Sequence, residues 1–201
     1  MKKPFFISFD GPKGVGKSTL LEGVYQHLSK EYTVTKLIEK ELDPFRDQVK
    51  DILLGKNELN LQLELEVIDL LAKGRAWITQ EYIQKANTDF ILIDRWYPSD
   101  AAFRKLHSFD TCLEINLNYG VAVPNLIIAT TCNPEVSMHR ATSREDGLRS
   151  IVIHDMKDHI ESTTRFEIAL NKHNWYLTPT DKSKEEVVEN VITGIMNRIL
   201  K

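Results

Sequence analysis

The chain has 201 residues, 42% of them hydrophobic and 27% charged, which is the length of one domain and a composition that excludes a largely disordered chain. Its 26 basic and 29 acidic side chains leave a formal net charge of −3, so no overall positive field exists to hold duplex nucleic acid. No apolar run approaches the roughly 20 residues of a membrane span, the run 5–9 is too short for a secretory leader, and Cys112 and Cys132 have no metal-type spacing; a cytoplasmic protein with two reduced thiols is expected.

In chain order, residues 4–10 are short, apolar and aromatic and predict a buried strand. Leu20, Val24 and Leu28 give residues 17–30 helical spacing. Residues 33–39 predict a second strand, and 44–54 a helix with Asp43 as N-cap, Pro44 at its first position and Gly55 as its stop. Residues 61–86 form one long helical pattern. Residues 88–94 predict a strand ending on Asp94, 99–107 a short helix, 125–131 a strand and 134–143 a helix. The charged stretch 144–150 has no periodicity. Residues 154–171 are helical, 175–178 a last strand, and 183–200 a helix with Ser183 and Glu186 spaced as a capping box. Five strands alternating with helices imply one α/β domain over 1–201, with a parallel sheet covered by helices on both faces. Ligands in such sheets bind beyond the carboxyl ends of the strands, where Asp10, Glu39 and Asp94 fall.

Gly11, Pro12, Lys13, Gly14, Val15, Gly16, Lys17 and Ser18 match G-x-x-x-x-G-K-[ST] without a mismatch, and Thr19 follows. The motif leaves an apolar strand and opens a helix, as a phosphate-cradling loop requires. Its backbone N–H groups and the helix N-terminus suit the phosphates of a nucleoside triphosphate, Lys17 neutralises the β- and γ-phosphates, and the Ser18 hydroxyl is placed to ligate Mg²⁺. Asp94 is a candidate to hold the same ion through water, and Arg95 to reach a phosphate or a reacting hydroxyl. On the long helix Arg75 interrupts the apolar seam of Ile68, Leu71, Ile78 and Tyr82. Either it meets an internal carboxylate or the seam faces a polar ligand cavity. Arg140, Arg144 and Arg149 flank a loop that can close over a transferring phosphoryl group, with Arg140 and Arg144 at the i, i+4 interval.

The order of these parts resembles the thymidylate kinase family of P-loop nucleoside and nucleotide kinases, over almost the whole chain. Phe9-Asp10-Gly11 with Gly16-Lys17-Ser18-Thr19, Asp94-Arg95-Trp96 with Ser99, Pro124-Asn125-Leu126-Ile127, and Asn133-Pro134-Glu135-Val136 leading to Arg140 and Arg144 carry the likeness. It implies the P-loop nucleotide kinase fold with a small arginine-bearing lid at about 140–152, ATP and Mg²⁺ as cofactors, and a homodimer packed through helices. It implies phosphoryl transfer to a deoxynucleoside monophosphate, with dTMP the leading acceptor. Lys17, Arg95, Arg140, Arg144 and Arg149 would be catalytic. Asp10, Glu39, Arg75, Arg95, Ser99, Phe103 and Arg104 would surround the acceptor.

The acceptor side departs from the family pattern. The Arg of the family's Arg-Glu-Pro-Gly-Gly is absent before Glu39, Lys13 replaces a loop carboxylate, and Arg104 stands where a base-reading Gln is common. Gly14 stands where some members carry a loop arginine, which leaves catalytic charge to the lid. One alternative is a deoxynucleoside kinase with Glu39 or Asp94 as the base. From other classes, a nucleotide-binding regulator, a degenerate kinase kept for binding, or a hydrolytic ATPase share the loop, but Asp94 is followed by Arg95 and not by the catalytic acid a hydrolase needs.

Overall fold

In the computed structural model, which describes residues 3–55, 58–144, 147–148 and 150–199, β1 (Phe5–Asp10), β2 (Val34–Ile38), β3 (Phe90–Asp94), β4 (Leu126–Thr131) and β5 (Tyr176–Pro179) form one sheet in the order β2-β3-β1-β4-β5. Every pairing is parallel, and the register sets Phe9 opposite Asp94 and Ile38 opposite Asp94 on the other side. The carboxyl ends of the three strands on the β2 side of the sheet therefore meet around one point.

Both faces of the sheet are covered, which is why its central strands read as continuous apolar runs and not as alternating ones. On one face α1 (Lys17–Leu28) and α9 (Lys184–Ile199) pack Leu20, Val24, Leu28, Val191 and Ile195 onto Ile7, Phe9, Leu92 and Ile128. On the other face Phe6, Ile91 and Ile93 meet Ile78, Trp96 and Val121. Fully burying each such side chain stabilises by about 1.5–3 kcal/mol, so a charge at Val24 or Ile93 would break the sheet's contact with its helices. Cys112 and Cys132 are buried and unbridged. No helix among the described residues is long and apolar enough to cross a membrane.

Local chemistry moved several expected boundaries. The Asp43 carboxylate accepts from Phe45 N at 2.9 Å and makes a turn, so α3 (Arg46–Leu54) starts after Pro44, while Glu39 opens the one-turn α2 (Glu39–Leu42). The long helix α4 (Leu61–Ile78) is capped by Asn60, whose side chain accepts from Leu63 N, and ends in a π-helical turn at Thr79–Ile83. The expected helix over 99–107 is a 3-10 turn at Tyr97–Ser99 and a single α-turn, α5 (Asp100–Phe103), after which Arg104 turns extended. A further helix, α6 (Phe109–Asn118), is capped by Ser108 and was not anticipated. Asn133 caps α7 (Pro134–Thr142) and Asp155 caps α8 (Met156–His173). Arg144 lies beyond the end of α7, so it does not share a helical face with Arg140.

Candidate active site

The loop between β1 and α1 wraps back on itself. Gly16 has φ 91° and immediately precedes Lys17, the first residue of α1. Lys17 is buried, and its Nζ donates to the Pro12 carbonyl at 2.9 Å, which holds the ammonium inside the loop. Burial pushes its pKa well below the ordinary lysine value, with Arg95 acting in the same direction. An anionic ligand in the loop would act against that lowering. Ser18 Oγ donates to Asp94 Oδ2 at 2.6 Å, a contact made possible by the β1–β3 pairing. A β-carbon on Gly14 would lie 1.9 Å from the Ser137 carbonyl oxygen, so α7 is seated directly on the loop and no side chain fits there. Ser137 is held in turn by His159 of α8 at 2.7 Å.

The loop forms one wall of a cavity of about 360 Å³. The opposite side is built on the turn after β3. Arg95 takes the left-handed conformation at φ 70°, uncommon for a residue with a side chain. Its Nη1 donates to Gly11 O at 2.9 Å and to Ser99 Oγ at 3.3 Å, and its guanidinium lies 4.7 Å over the Phe103 ring. Asp10 fixes this turn from behind. Its Oδ1 accepts from Trp96 N at 2.9 Å, Ser99 N at 3.1 Å and Ser99 Oγ at 2.7 Å. Burial raises the Asp10 pKa to about 6 against the lowering effect of those bonds.

Both alternatives posed for Arg75 hold at once. Its Nε donates to Glu39, its Nη1 to Asp100 Oδ2 at 2.5 Å and to Asn116 Oδ1 at 3.2 Å, and its Nη2 to Asp100 Oδ1 at 3.3 Å. It also lines the cavity beside Glu39 and Asp100. Burial works against its charge, yet Asp100 and Glu39 hold its pKa above the usual guanidinium value. Arg104 lines the same cavity and is only 6% exposed. Lys13 lines it as well; burial first, then Arg144, Arg95 and Lys40, lower its pKa to about 8.

A second cavity of about 370 Å³ lies across the loop, lined by Leu20, Arg140, Thr180, Lys182, Lys184 and Val187. Gly14, Gly16, Thr19 and Arg144 line both cavities. Arg140 donates to Thr180 O at 3.3 Å, and Thr180 Oγ1 donates to Val15 O at 2.7 Å, tying the end of β5 to the loop.

The structure therefore gathers Lys13, Lys17, Ser18, Glu39, Arg75, Asp94, Arg95, Ser99, Phe103, Arg104 and Arg144 at the first cavity. Asp10, Gly11, Pro12 and Val15 do not line it: Asp10 and Val15 are fully buried, and Asp10 holds the backbone of Trp96 and Ser99. Arg140 faces the second cavity only. Arg149 lies outside the described residues. Sequence reasoning missed Glu64, Asp100 and Asn116. Glu64 is fully buried and accepts from Lys105 N, Leu106 N and His107 N at 2.6, 2.7 and 2.8 Å. It lies on the same i, i+4, i+7 seam as Ile68, Leu71 and Arg75, the one signal that pointed to it.

A family model described as thymidylate kinase matches residues 9–191. A thymidylate kinase of Bacillus velezensis is 25% identical, over 98% of this chain and 96% of its own length. A probable thymidylate kinase of Sulfolobus acidocaldarius is 26% identical, over 92% and 93%. In fold, the crystal structure of thymidylate kinase from Ehrlichia chaffeensis superposes with a TM-score of 0.68 at 16% identity, over 97% of this chain and 99% of that one. The sheet, its strand order and the loop are thus those of a P-loop kinase, and the chain belongs to the thymidylate kinase family, whose members are nucleoside monophosphate kinases.

Proposed function

We propose that the protein transfers the γ-phosphoryl group of ATP, with Mg²⁺, to a deoxynucleoside monophosphate; the names of its relatives put dTMP first among acceptors to assay. The observation that carries this reading is the pair of cavities sharing one loop wall and Arg144. A triphosphate held in the loop, with its base toward the second cavity, would present its terminal phosphate to the first. An acceptor phosphate oxygen there attacks the γ-phosphorus, the bond to the β–γ bridging oxygen breaks, and ADP carries away the electron pair. Lys17, Arg95 and Arg144 face the cavity where charge develops on the migrating group.

Ser18 and Asp94 suit Mg²⁺, a hard cation that prefers oxygen ligands and is usually held by one or two protein groups together with substrate phosphates. Bound there, the ion would offset charge on the β- and γ-phosphates. Asp10, through Trp96 and Ser99, orients the turn that carries Arg95. An ionised phosphate needs no general base. Both carboxylates considered as bases for a nucleoside hydroxyl are already engaged, Glu39 with Arg75 and Asp94 with Ser18, which supports the monophosphate reading.

ADP release from ATP and Mg²⁺, assayed over a panel of nucleosides and monophosphates, tests this. Turnover should require a monophosphate, and Lys17→Ala should reduce it by about 10³-fold or more. Full-rate hydrolysis without any acceptor would show that the chain is an ATPase instead. We propose further that the chain works as one domain, with residues near 140–152 as its lid, and as a homodimer; partly exposed Trp77, Tyr82, Leu117 and Tyr119 on and beside α4 and α6 support a helical interface.

A further inference from the structure

Helices α7 and α8 bracket Arg144, a cation common to both cavities. They are joined by a buried polar contact that the transfer reaction does not use. His159, in the first turn of α8, is fully buried, and its Nε2 lies 2.7 Å from Oγ of Ser137, which is fully buried as well. Ser137 Oγ has one proton and donates it to the Pro134 carbonyl at 3.1 Å, so the imidazole is the donor to Ser137. The other ring nitrogen, Nδ1, has no partner among the described residues. Neither residue lines either cavity, so the pair is placed to hold elements together and not to touch substrate.

The neighbouring residue of α8 reaches a different element. Asp158 accepts from Lys105 Nζ at 2.6 Å on one oxygen and from His154 N at 3.0 Å on the other. Lys105 follows Phe103 and Arg104, which line the first cavity, and its backbone N–H is held by Glu64. Further along α8, Arg165 Nη2 donates to the Ala102 carbonyl at 3.1 Å, and Phe166 shares an apolar cluster with Ala101 and Ala102. The one helix therefore grips α7 through His159 and the wall of the first cavity through Asp158 and Arg165.

The α7 side of this chain of contacts ends on the phosphate loop, where Gly14 has no space left toward Ser137. Close-packed elements pass a displacement on instead of absorbing it. We infer that His159 and Ser137 are positioning residues for phosphoryl transfer: their contact locks α7 to α8, fixes the start of the path to Arg144, and carries binding at the loop to the segment 103–107. The inference rests on the kinase reading and adds to it two residues that touch no substrate.

Hydrogen exchange on the full chain, with and without a non-hydrolysable ATP analogue, tests this without turnover. The analogue should slow exchange in the loop and also, remotely, at Lys105, Leu106 and His107, there by about fivefold or more. His159→Leu leaves Ser137 bonded to Pro134 and should keep the loop protection while losing the remote protection. Ser137→Ala deletes a single oxygen and should do the same. His159→Gln, whose amide can donate to Ser137 Oγ, should retain the remote protection. With dTMP as acceptor, His159→Leu should lower kcat by about tenfold or more while the dissociation constant of the analogue stays within about threefold. Remote protection that survives both His159→Leu and Ser137→Ala, or that is absent from the native chain, overturns the inference. So does a His159→Leu chain that loses only melting temperature, which would make the histidine merely structural. The two readings separate. If exchange behaves as expected but no monophosphate is phosphorylated, the kinase reading fails and the link from loop to wall stands. If dTMP is phosphorylated and the substitutions leave exchange unchanged, the inference fails alone.

Discussion

Asp10 is a carboxyl with one oxygen fully occupied and the other, Oδ2, buried with no partner among the described residues. Its folded pKa of about 6 lies above the ordinary 3.8, so the folded state binds the proton more tightly. The stabilisation is complete below about pH 4 and is lost as pH rises through 6; above that, folding must bury a charge, at a cost of about 3 kcal/mol. Asp10→Asn removes this term. Urea unfolding of both proteins should show the substituted chain gaining relative stability between pH 4 and pH 8, by about 3 kcal/mol at most. A difference independent of pH would mean that Asp10 is ionised throughout. Lys13 makes a functional counterpart. With its pKa lowered to about 8, it loses charge in mild alkali, so acceptor KM should rise above pH 8 in the native chain and stay flatter in Lys13→Gln.

At the level of elements, α2, α4, α5 and α6 are joined by the Arg75 cluster rather than by apolar packing alone. Glu39 begins α2, Asp100 begins α5 and Asn116 sits on α6, and Arg75 touches all three. Arg75→Met leaves two buried carboxylates without their cation and should destabilise by about 3–5 kcal/mol, measured by denaturant unfolding. Adding Glu39→Gln and Asp100→Asn should recover part of that loss; independent, additive losses would contradict a shared cluster. Glu64 performs a similar service for the segment after α5. Glu64→Ala strips the acceptor from three backbone N–H groups and should raise acceptor KM with ATP KM unchanged, since the segment it holds presents Arg104.

These same elements show why the sequence was legible in places and opaque in others. The loop, β1 and β3 could be read because motif and apolar run reinforce each other. The α6 segment was missed because Thr111, Glu114, Asn116 and Asn118 dilute its periodicity, and one of these, Asn116, is buried as a hydrogen-bond partner. The seam on α4 pointed to Arg75, but a buried Glu64 or Asp100 looks in sequence like a surface charge. Only the folded chain brings Asp100 to Arg75, and only the length of α5, a single turn, leaves Arg104 extended against the cavity.

For the whole molecule, the two cavities share a wall, so binding at one should be felt at the other. An ATP analogue and the acceptor should together raise the melting temperature by more than the sum of their separate effects, read in a thermal-shift titration; strict additivity would argue for isolated sites. Light scattering coupled to size exclusion tests the dimer, and a monomer at high micromolar concentration would remove it.

The seating of α7 against Gly14 has a consequence for how this protein can vary. Even the smallest side chain at that position collides with the Ser137 carbonyl, so a single substitution cannot place a cation at position 14. A lineage acquiring one would first need α7 to back away, and that shift would disturb the His159 contact and the path leading to Arg144. The helix and the loop are committed to each other, so a cation over this part of the loop has to come from outside position 14, as Arg144 does from the segment that follows α7.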